Sequence, residues 1–341
     1  MSAPLPRFSV VVANYNHAAL VGRAIDSVLG QQYPAELREV VVVDDGSTDD
    51  SRERLAAWCD TPGVRLVLQD NRGQTAAFAA GVAVAQGDYI CLLDADDHCL
   101  PDRLAAVAAH LDTLGATPEQ LFLCHDLQIL DGVDGAPIAA TWFDQIGQHR
   151  FGPHLTLSAV HHEFPFASTS GMVFGRPLLA RVMALLPLHE WRMFADAILG
   201  HTAMLLAGEV HYLRRCLTGY VVHGRNDNAS IVAGRYVAKA RWNDSRARQL
   251  RLLELLVDTL PFSADERAER WGYLARLEHA YRTVSADRSR PQPLISLVVD
   301  AQGAPPDWMQ ATADAAARLR DCRHELLWVG DAATLAALPP D

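Results

Sequence analysis

Two acidic clusters in the first hundred residues have the types and spacing to do chemistry. Leu92-Leu93-Asp94-Ala95-Asp96-Asp97 sets three carboxylates directly after an apolar run. Like charges this close repel unless a cation neutralises them or their pKa values rise. Hard divalent ions such as Mg²⁺ and Mn²⁺ favour carboxylate oxygens and bridge them to phosphates. The cluster therefore reads as a place where an acidic chain can hold a diphosphate through an ion; a solvated acidic turn is the plainer alternative. Asp44-Asp45-Gly46-Ser47 follows a second apolar run, and its carboxylates could accept a nucleobase N–H or a ribose hydroxyl. The plainer reading there is a turn-forming or helix-capping acid before a glycine. Between the clusters, Asp70-Asn71-Arg72-Gly73-Gln74 leads into an Ala-rich stretch. A helix N-terminus at that point favours an anion, and Arg72 could meet a phosphate or a base. Neither GxGxxG nor GxxxxGK[ST] occurs in the chain, which argues against a dinucleotide oxidoreductase and against a P-loop enzyme.

The flanking patterns predict the elements that must hold these residues. Phe8 to Ala13, Val40 to Val43, Val64 to Leu68 and Tyr89 to Leu93 are short apolar runs, as expected of strands buried on both faces. Helical spacing fills the gaps: 18–29, 47–59 with Ser47 or Thr48 as N-cap, and 74–86. Alternation at this pitch predicts βαβ units and a parallel sheet, whose ligands bind beyond the carboxyl ends of the strands. Both acidic clusters fall at such ends. Further on, a helix is expected over 101–114, strands over 121–130 and 172–174, and helices over 176–186 and 196–207. Residues 131–165, rich in Gly, Pro, His and aromatics, read as a long surface excursion. Amphipathic helices are expected over 233–258 and 264–285. Their Arg-bearing side reads as a solvated face, with a peripheral membrane contact or an oligomer surface as the alternative. The tail repeats the head: the same spacing separates Ser9 from Asp44 and Ser296 from Asp331. This predicts a short βαβ unit, either coincidental or a truncated second module.

The chain has 341 residues, half of them hydrophobic, with a formal net charge of −11. That balance argues against a nucleic-acid partner. No run reaches a membrane span of roughly 18 apolar residues, and Met1 to Arg7 has no secretory pattern. The six cysteines show no CxxC pair or zinc-type spacing. A cytoplasmic location with reduced thiols is the expectation, with contact at the inner membrane face as the alternative.

Taken together, Val10 to Asn16, Val43 to Asp49, Asn71 to Ala76 and Gly87 to Asp97 resemble, in order and spacing, a family 2 glycosyltransferase of the GT-A fold. The likeness runs over roughly 7–225. It implies an inverting, metal-dependent transfer of a sugar from a nucleotide diphosphate, UDP first, to a glycan or lipid-linked acceptor in polysaccharide biosynthesis. By this resemblance the nucleotide-binding residues are Ala13, Tyr15, Asp45, Arg72, Asp94 and Asp96. Asp45 would meet the base, and Asp94 and Asp96 would form the DXD motif. Asp96, Asp97 and His223 would hold Mn²⁺ or Mg²⁺. Ala13 stands where many members carry Thr or Pro.

Inversion needs a general base to take the acceptor proton. The resemblance places that base at Asp196, although Ala195 replaces the family's Glu; Glu190 is the fallback. Ala167 to Gly171 resembles the loop on the acceptor side, offering Ser168 and Ser170. Gly219 to Asn226 resembles a Tyr-Arg-x-His-Gly element, with Val221 in place of Arg and with Arg225 able to pair with phosphate. His161 and His162 read as surface or core residues. The expected architecture is α/β: a Rossmann-like, mixed but mainly parallel sheet flanked by helices in a transferase domain over 1–230, a helical extension over 231–290, and a βαβ tail over 291–341. Further modules or a homo-oligomer would fit the surplus length. The imperfect motifs also suit a catalytically degenerate module that binds sugar nucleotide, glycan or a partner protein. A nucleotidyltransferase is discouraged by the lack of a Gly-rich phosphate loop with a following Lys.

Overall fold

A computed structural model describes residues 4–132, 135–145, 166–223, 226, 229–232, 235–238, 243–286, 295–300 and 324–329. The chain forms two compact units, Met1–Ala280 and Tyr281–Asp341.

The first unit begins with β1 (Phe8–Asn14), α1 (Val21–Leu29), β2 (Arg38–Asp45), α2 (Ser51–Leu55), β3 (Val64–Gln69), α3 (Gln74–Val84) and β4 (Tyr89–Asp94). These four strands pair in parallel, in the spatial order β3-β2-β1-β4. Val10, Val11 and Val12, and Val40 to Val43, are fully buried. Helices cover both faces of a parallel sheet, so neither face of such a strand can be polar; runs of valine satisfy this and suit the pleat. Helix α2 is shorter than the spacing predicts, because Ser47 does not cap it. The Ser47 hydroxyl instead accepts hydrogen bonds from the Asn16 backbone N–H (2.9 Å) and the Asn14 amide (3.2 Å).

Beyond β4 the sheet changes character. After β5 (His98–Cys99), α4 (Arg103–Leu114), β6 (Phe122–Asp131), β7 (Pro137–Thr141) and the short α5 (Trp142–Gln145), the chain returns as β8 (Met172–Gly175), α6 (Arg176–Leu185), α7 (Ala195–Ala207) and β9 (His211–Val222). Strand β8 lies between β4 and β6, antiparallel to both, while β6 and β9 pair in parallel. The full order is β3-β2-β1-β4-β8-β6-β9-β5, with β7 on β6. This is the mixed, mainly parallel sheet that the sequence predicts. Of the expected excursion over 131–165, most lies outside the described residues.

The helix expected from 233 begins later. Ala229–Val232 and Arg235–Ala238 form an antiparallel hairpin, β10 and β11, and α8 (Asn243–Thr259) and α9 (Ala264–Ala286) follow. Ser230, Ile231, Val232, Tyr236 and Val237 include four β-branched or aromatic residues, and strand preference wins over helical spacing there. The Arg-bearing side of these helices is not simply solvated. Arg270 is buried, donates to the Leu205 carbonyl (2.7 Å) and lies over the Phe262 ring. Arg246 is buried too. Gln249 donates to the Ala197 carbonyl (3.2 Å), and His201 pairs with the Tyr273 hydroxyl at 2.5 Å. Helices α8 and α9 thus brace α7. Among the described residues no helix is long and apolar enough to cross a membrane.

In the second unit β12 (Ile295–Asp300) and β13 (His324–Val329) pair in parallel. A parallel pair needs a crossover connection; the helix of the expected βαβ unit falls outside the described residues.

Candidate active site

The carboxyl ends of β1, β2 and β4 lie side by side, with Asn14 opposite Asp44 and Ala13 opposite Asp94. Around this edge the polar side chains divide into holders and held.

Asp44 is fully buried. Its carboxylate accepts from Arg52 (2.8 Å), from the Asn14 amide (2.9 Å) and from the Ser47 N–H (3.2 Å). Burial raises its pKa, but these hydrogen bonds from Arg52, Ser47 and Asn14 outweigh it and hold the carboxyl below its ordinary value. Asp45 accepts from Gln69 (2.6 Å) and the Arg72 N–H (2.8 Å) at Oδ1, and from the Gly73 N–H (2.8 Å) at Oδ2. A carboxylate has about four acceptor positions, and these three donors use one of the two at Oδ2. The first duty of Asp45 is to shape the 71–73 loop. Gly73 is required there: its φ is +94°, and a Cβ would come within 2.4 Å of the Arg192 Cα. The Arg72 side chain is exposed, as is Tyr15, while Ala13 is half-buried.

The second cluster is arranged differently. The Asp94 N–H donates to the Ser170 hydroxyl (3.0 Å), and Asp94 Oδ1 accepts from the Gln74 amide (2.7 Å). Burial, then the neighbouring charges of Asp96 and Asp196, push the Asp94 carboxyl up to about 8 against the hydrogen bond from Gln74. Asp97 turns into the protein: Oδ1 accepts the Val221 N–H (2.9 Å), and Oδ2 is buried with no hydrogen-bond partner among the described residues. Burial and the charges of Asp96 and Asp94 hold it well above the ordinary carboxylate range. Asp96 faces outward, 3.0 Å from His223 Nε2 through Oδ2, with the Asn226 amide donating at 3.3 Å.

The one group of three among the described residues that could hold a metal ion is His17, Asp96 and His223, whose ligand atoms all lie within 4.8 Å of one another. Of the residues expected to hold an ion, Asp96 and His223 lie together with His17, while Asp97 Oδ1 accepts the Val221 N–H of β9. The β1–α1 turn delivers His17, because Asn16, at φ +59°, accepts the Thr48 N–H (2.7 Å) with its side chain.

Asp196 is the second residue of α7. Burial raises its carboxyl to about 6, against a hydrogen bond from the Ala197 N–H. The residue before the helix, Phe194, has φ +62°, a left-handed conformation costing a bulky side chain about 1–2 kcal/mol. The segment is held from the 71–74 loop: Gln74 accepts the Ala195 N–H (3.3 Å), the Gln74 N–H donates to the Arg192 carbonyl (2.9 Å), and Arg192 pairs with Asn71. One glutamine therefore joins the end of β4 to the start of α7. Sequence reasoning singled out neither Gln74 nor Asn14 nor His17, although all three lie inside or beside the quoted motifs.

Ser170 is fully buried and accepts the Asp94 backbone N–H; Ser168 is buried as well. Glu190 is exposed, with His189 Nε2 3.9 Å from its carboxylate. Arg225 lies outside the described residues.

The sequence profile of the family described as Glycosyl transferase family 2 matches residues 9–117. An uncharacterized glycosyltransferase of Nostoc sp. is 33% identical over 235 residues, 67% of this chain and 68% of the relative. The succinoglycan biosynthesis protein ExoO of Rhizobium meliloti is 33% identical over 234 residues, 67% of this chain and 64% of the relative. Among solved structures, residues 1–349 of S. aureus TarS share the fold at a TM-score of 0.60 and 17% identity, covering 90% of this chain and 79% of that one. The same protein has been solved with UDP-GlcNAc. The mannosyltransferase PcManGT from Pyrobaculum calidifontis, in complex with GDP-Man and Mn²⁺, matches at a TM-score of 0.50 and 19% identity, covering 94% of this chain and 82% of that one.

Proposed function

The chain belongs to glycosyl transferase family 2, and on that premise we propose that it is an inverting, metal-dependent transferase moving a sugar from a nucleoside diphosphate to a hydroxyl of a glycan or lipid-linked acceptor. A nucleotide-sugar donor is supported by the fold shared with TarS, solved with UDP and with UDP-GlcNAc. The PcManGT complex with Mn²⁺ favours that ion.

The observation that carries the reading is the bridge of Gln74 between Asp94 and the start of α7. It brings the donor-side acids and the base into one electrostatic site, in which Asp196 is among the charges raising Asp94. In this reading Asp45 and the 71–73 loop receive the nucleoside, and the exposed Arg72 lies along the phosphates. Asp96 with His223 and His17 would hold a divalent ion, which would supply positive charge against a departing diphosphate. The acceptor oxygen attacks the anomeric carbon from the face opposite the diphosphate. Its proton passes to Asp196, the new C–O bond forms, and the bond to the phosphate oxygen breaks with its electrons going to the nucleoside diphosphate. A carboxyl titrating at about 6 is ionised at neutral pH yet basic enough to accept that proton.

The test is a panel of nucleotide sugars with Mn²⁺, read by nucleotide release and by the anomeric configuration of the product. Turnover with inverted configuration, lost in Asp196→Asn, is expected. Retained configuration or full activity in that variant overturns the assignment.

A further inference from the structure

The segment that leads into Asp196 has little local support. Phe194, at the N-cap of α7, is left-handed (φ +62°) and offers no side-chain acceptor, so neither a favoured backbone conformation nor a capping side chain fixes where the helix starts. Such a conformation persists only where surrounding groups over-determine it. The 71–74 loop supplies some of those contacts. Others come from α8, in the helical extension. The Arg248 guanidinium lies over the Trp191 ring, 5.2 Å from its centroid, and donates to the Glu190 carbonyl (3.5 Å). Its neighbour Gln249, which is buried, donates to the Ala197 carbonyl (3.2 Å). These contacts fall on either side of Asp196 in sequence.

Arg248 is exposed, and among the described residues no ion pair engages it. Ordering a long exposed arginine costs side-chain entropy; here the indole face and one carbonyl hold it. Trp191 is 3% exposed, and its N–H has no hydrogen-bond partner among the described residues. Packing and the guanidinium therefore set the orientation of the ring. The next residue, Arg192, carries the carbonyl that receives the Gln74 N–H. A displaced indole would thus shift the stretch of chain that bears Phe194, Ala195 and Asp196. We propose that Arg248 and Gln249 are positioning residues for Asp196, so that the helical extension sets the geometry of the base and does not only pack against α7. The inference rests on the reading above that Asp196 takes the acceptor proton.

The experiment uses the full chain with Mn²⁺ and the nucleotide sugar that the panel above selects. Arg248→Ala is expected to lower kcat for nucleotide release about tenfold, with the donor KM within about twofold of the unaltered chain. Arg248→Lys should recover most of that loss, because an ammonium also rests on an indole face. Gln249→Met, which keeps the volume, should give a loss of similar size, with circular dichroism checking its fold. Arg251→Ala, exposed on the same helix, should leave kcat unchanged. In an Asp196→Asn background Arg248→Ala should cost nothing further, since a positioning residue has no effect once the group it positions is gone. Unaltered kcat in both Arg248→Ala and Gln249→Met, a rise in donor KM alone, or a loss that persists in the Asp196→Asn background overturns the proposal and leaves Asp196 as the base. Full activity in Asp196→Asn by itself overturns instead the reading on which the inference rests.

Discussion

Asp44-Asp45 and Asp94-Ala95-Asp96-Asp97 look alike in sequence, each an acidic cluster closing a buried parallel strand, yet the fold treats them oppositely. At the first, Arg52, Asn14, Ser47, Gln69 and two loop N–H groups converge, and Asp44 is held below its ordinary pKa. At the second, Asp94 is pushed up to about 8 and Asp97 well above its usual range, with a buried Asp97 oxygen left unpartnered among the described residues. At the first cluster the protein supplies the partners, and Asp44 serves as scaffold. The second is left short of positive charge, which fits the cation site proposed there.

Substitutions can break this contrast in graded ways. The largest effect is expected for Asp96→Ala: loss of Mn²⁺-dependent turnover by about a thousandfold, measured as nucleotide release, with little change in thermal midpoint. Asp196→Asn should lower kcat by about a hundredfold without destabilising the chain. Its carboxyl is raised on folding, so the stability it contributes below its unfolded pKa is lost as pH rises through about 6. The neutral amide removes that cost, and a thermal midpoint equal to or above that of the unaltered chain at pH 7 is the expected reading. In the unaltered chain, kcat/KM should fall as pH drops below about 6, with the slope of one proton.

Asp44→Ala should do the reverse, lowering the unfolding free energy by about 2–3 kcal/mol because the Asn14 amide loses a buried partner, while turnover per folded molecule changes little. Denaturant titration checks this. The lowered pKa of Asp44 adds a pH dependence: its contribution is complete at neutral pH and disappears as pH falls through the folded value. The smallest effect is expected for Gln74→Met, which keeps the volume but cuts the link from Asp94 to the start of α7. About a tenfold loss in kcat, with the KM for donor nearly unchanged, would mark Gln74 as a positioning residue.

The sequence reveals the parallel half of the fold because burial on both faces leaves valine runs such as Val40 to Val43. It also reveals where the acids sit, since a strand end is an address that local pattern can locate. It does not reveal which acids are satisfied. That depends on partners such as Ser170, 76 positions from Asp94, and Val221, 124 from Asp97. His17 and Gln74 are ordinary polar residues until the turns that aim them are known, and an exposed and a buried serine read alike at Ser170. The hairpin over 229–238 is missed for a related reason: local β preference and helical spacing overlap there, and only pairing decides.

The position of β8 also has a consequence for biosynthesis. Until β8 is made, β4 is the outer strand of the nascent sheet, its backbone donors and acceptors open on one side. At translation rates of about 5–20 residues per second, the interval from Asp94 to Gly175 is roughly 4–16 s. Through that interval the nascent chain carries an apolar edge, Tyr89 to Leu93, able to pair with another copy. Slowing synthesis between those points should increase aggregation, and faster passage to β8 should relieve it.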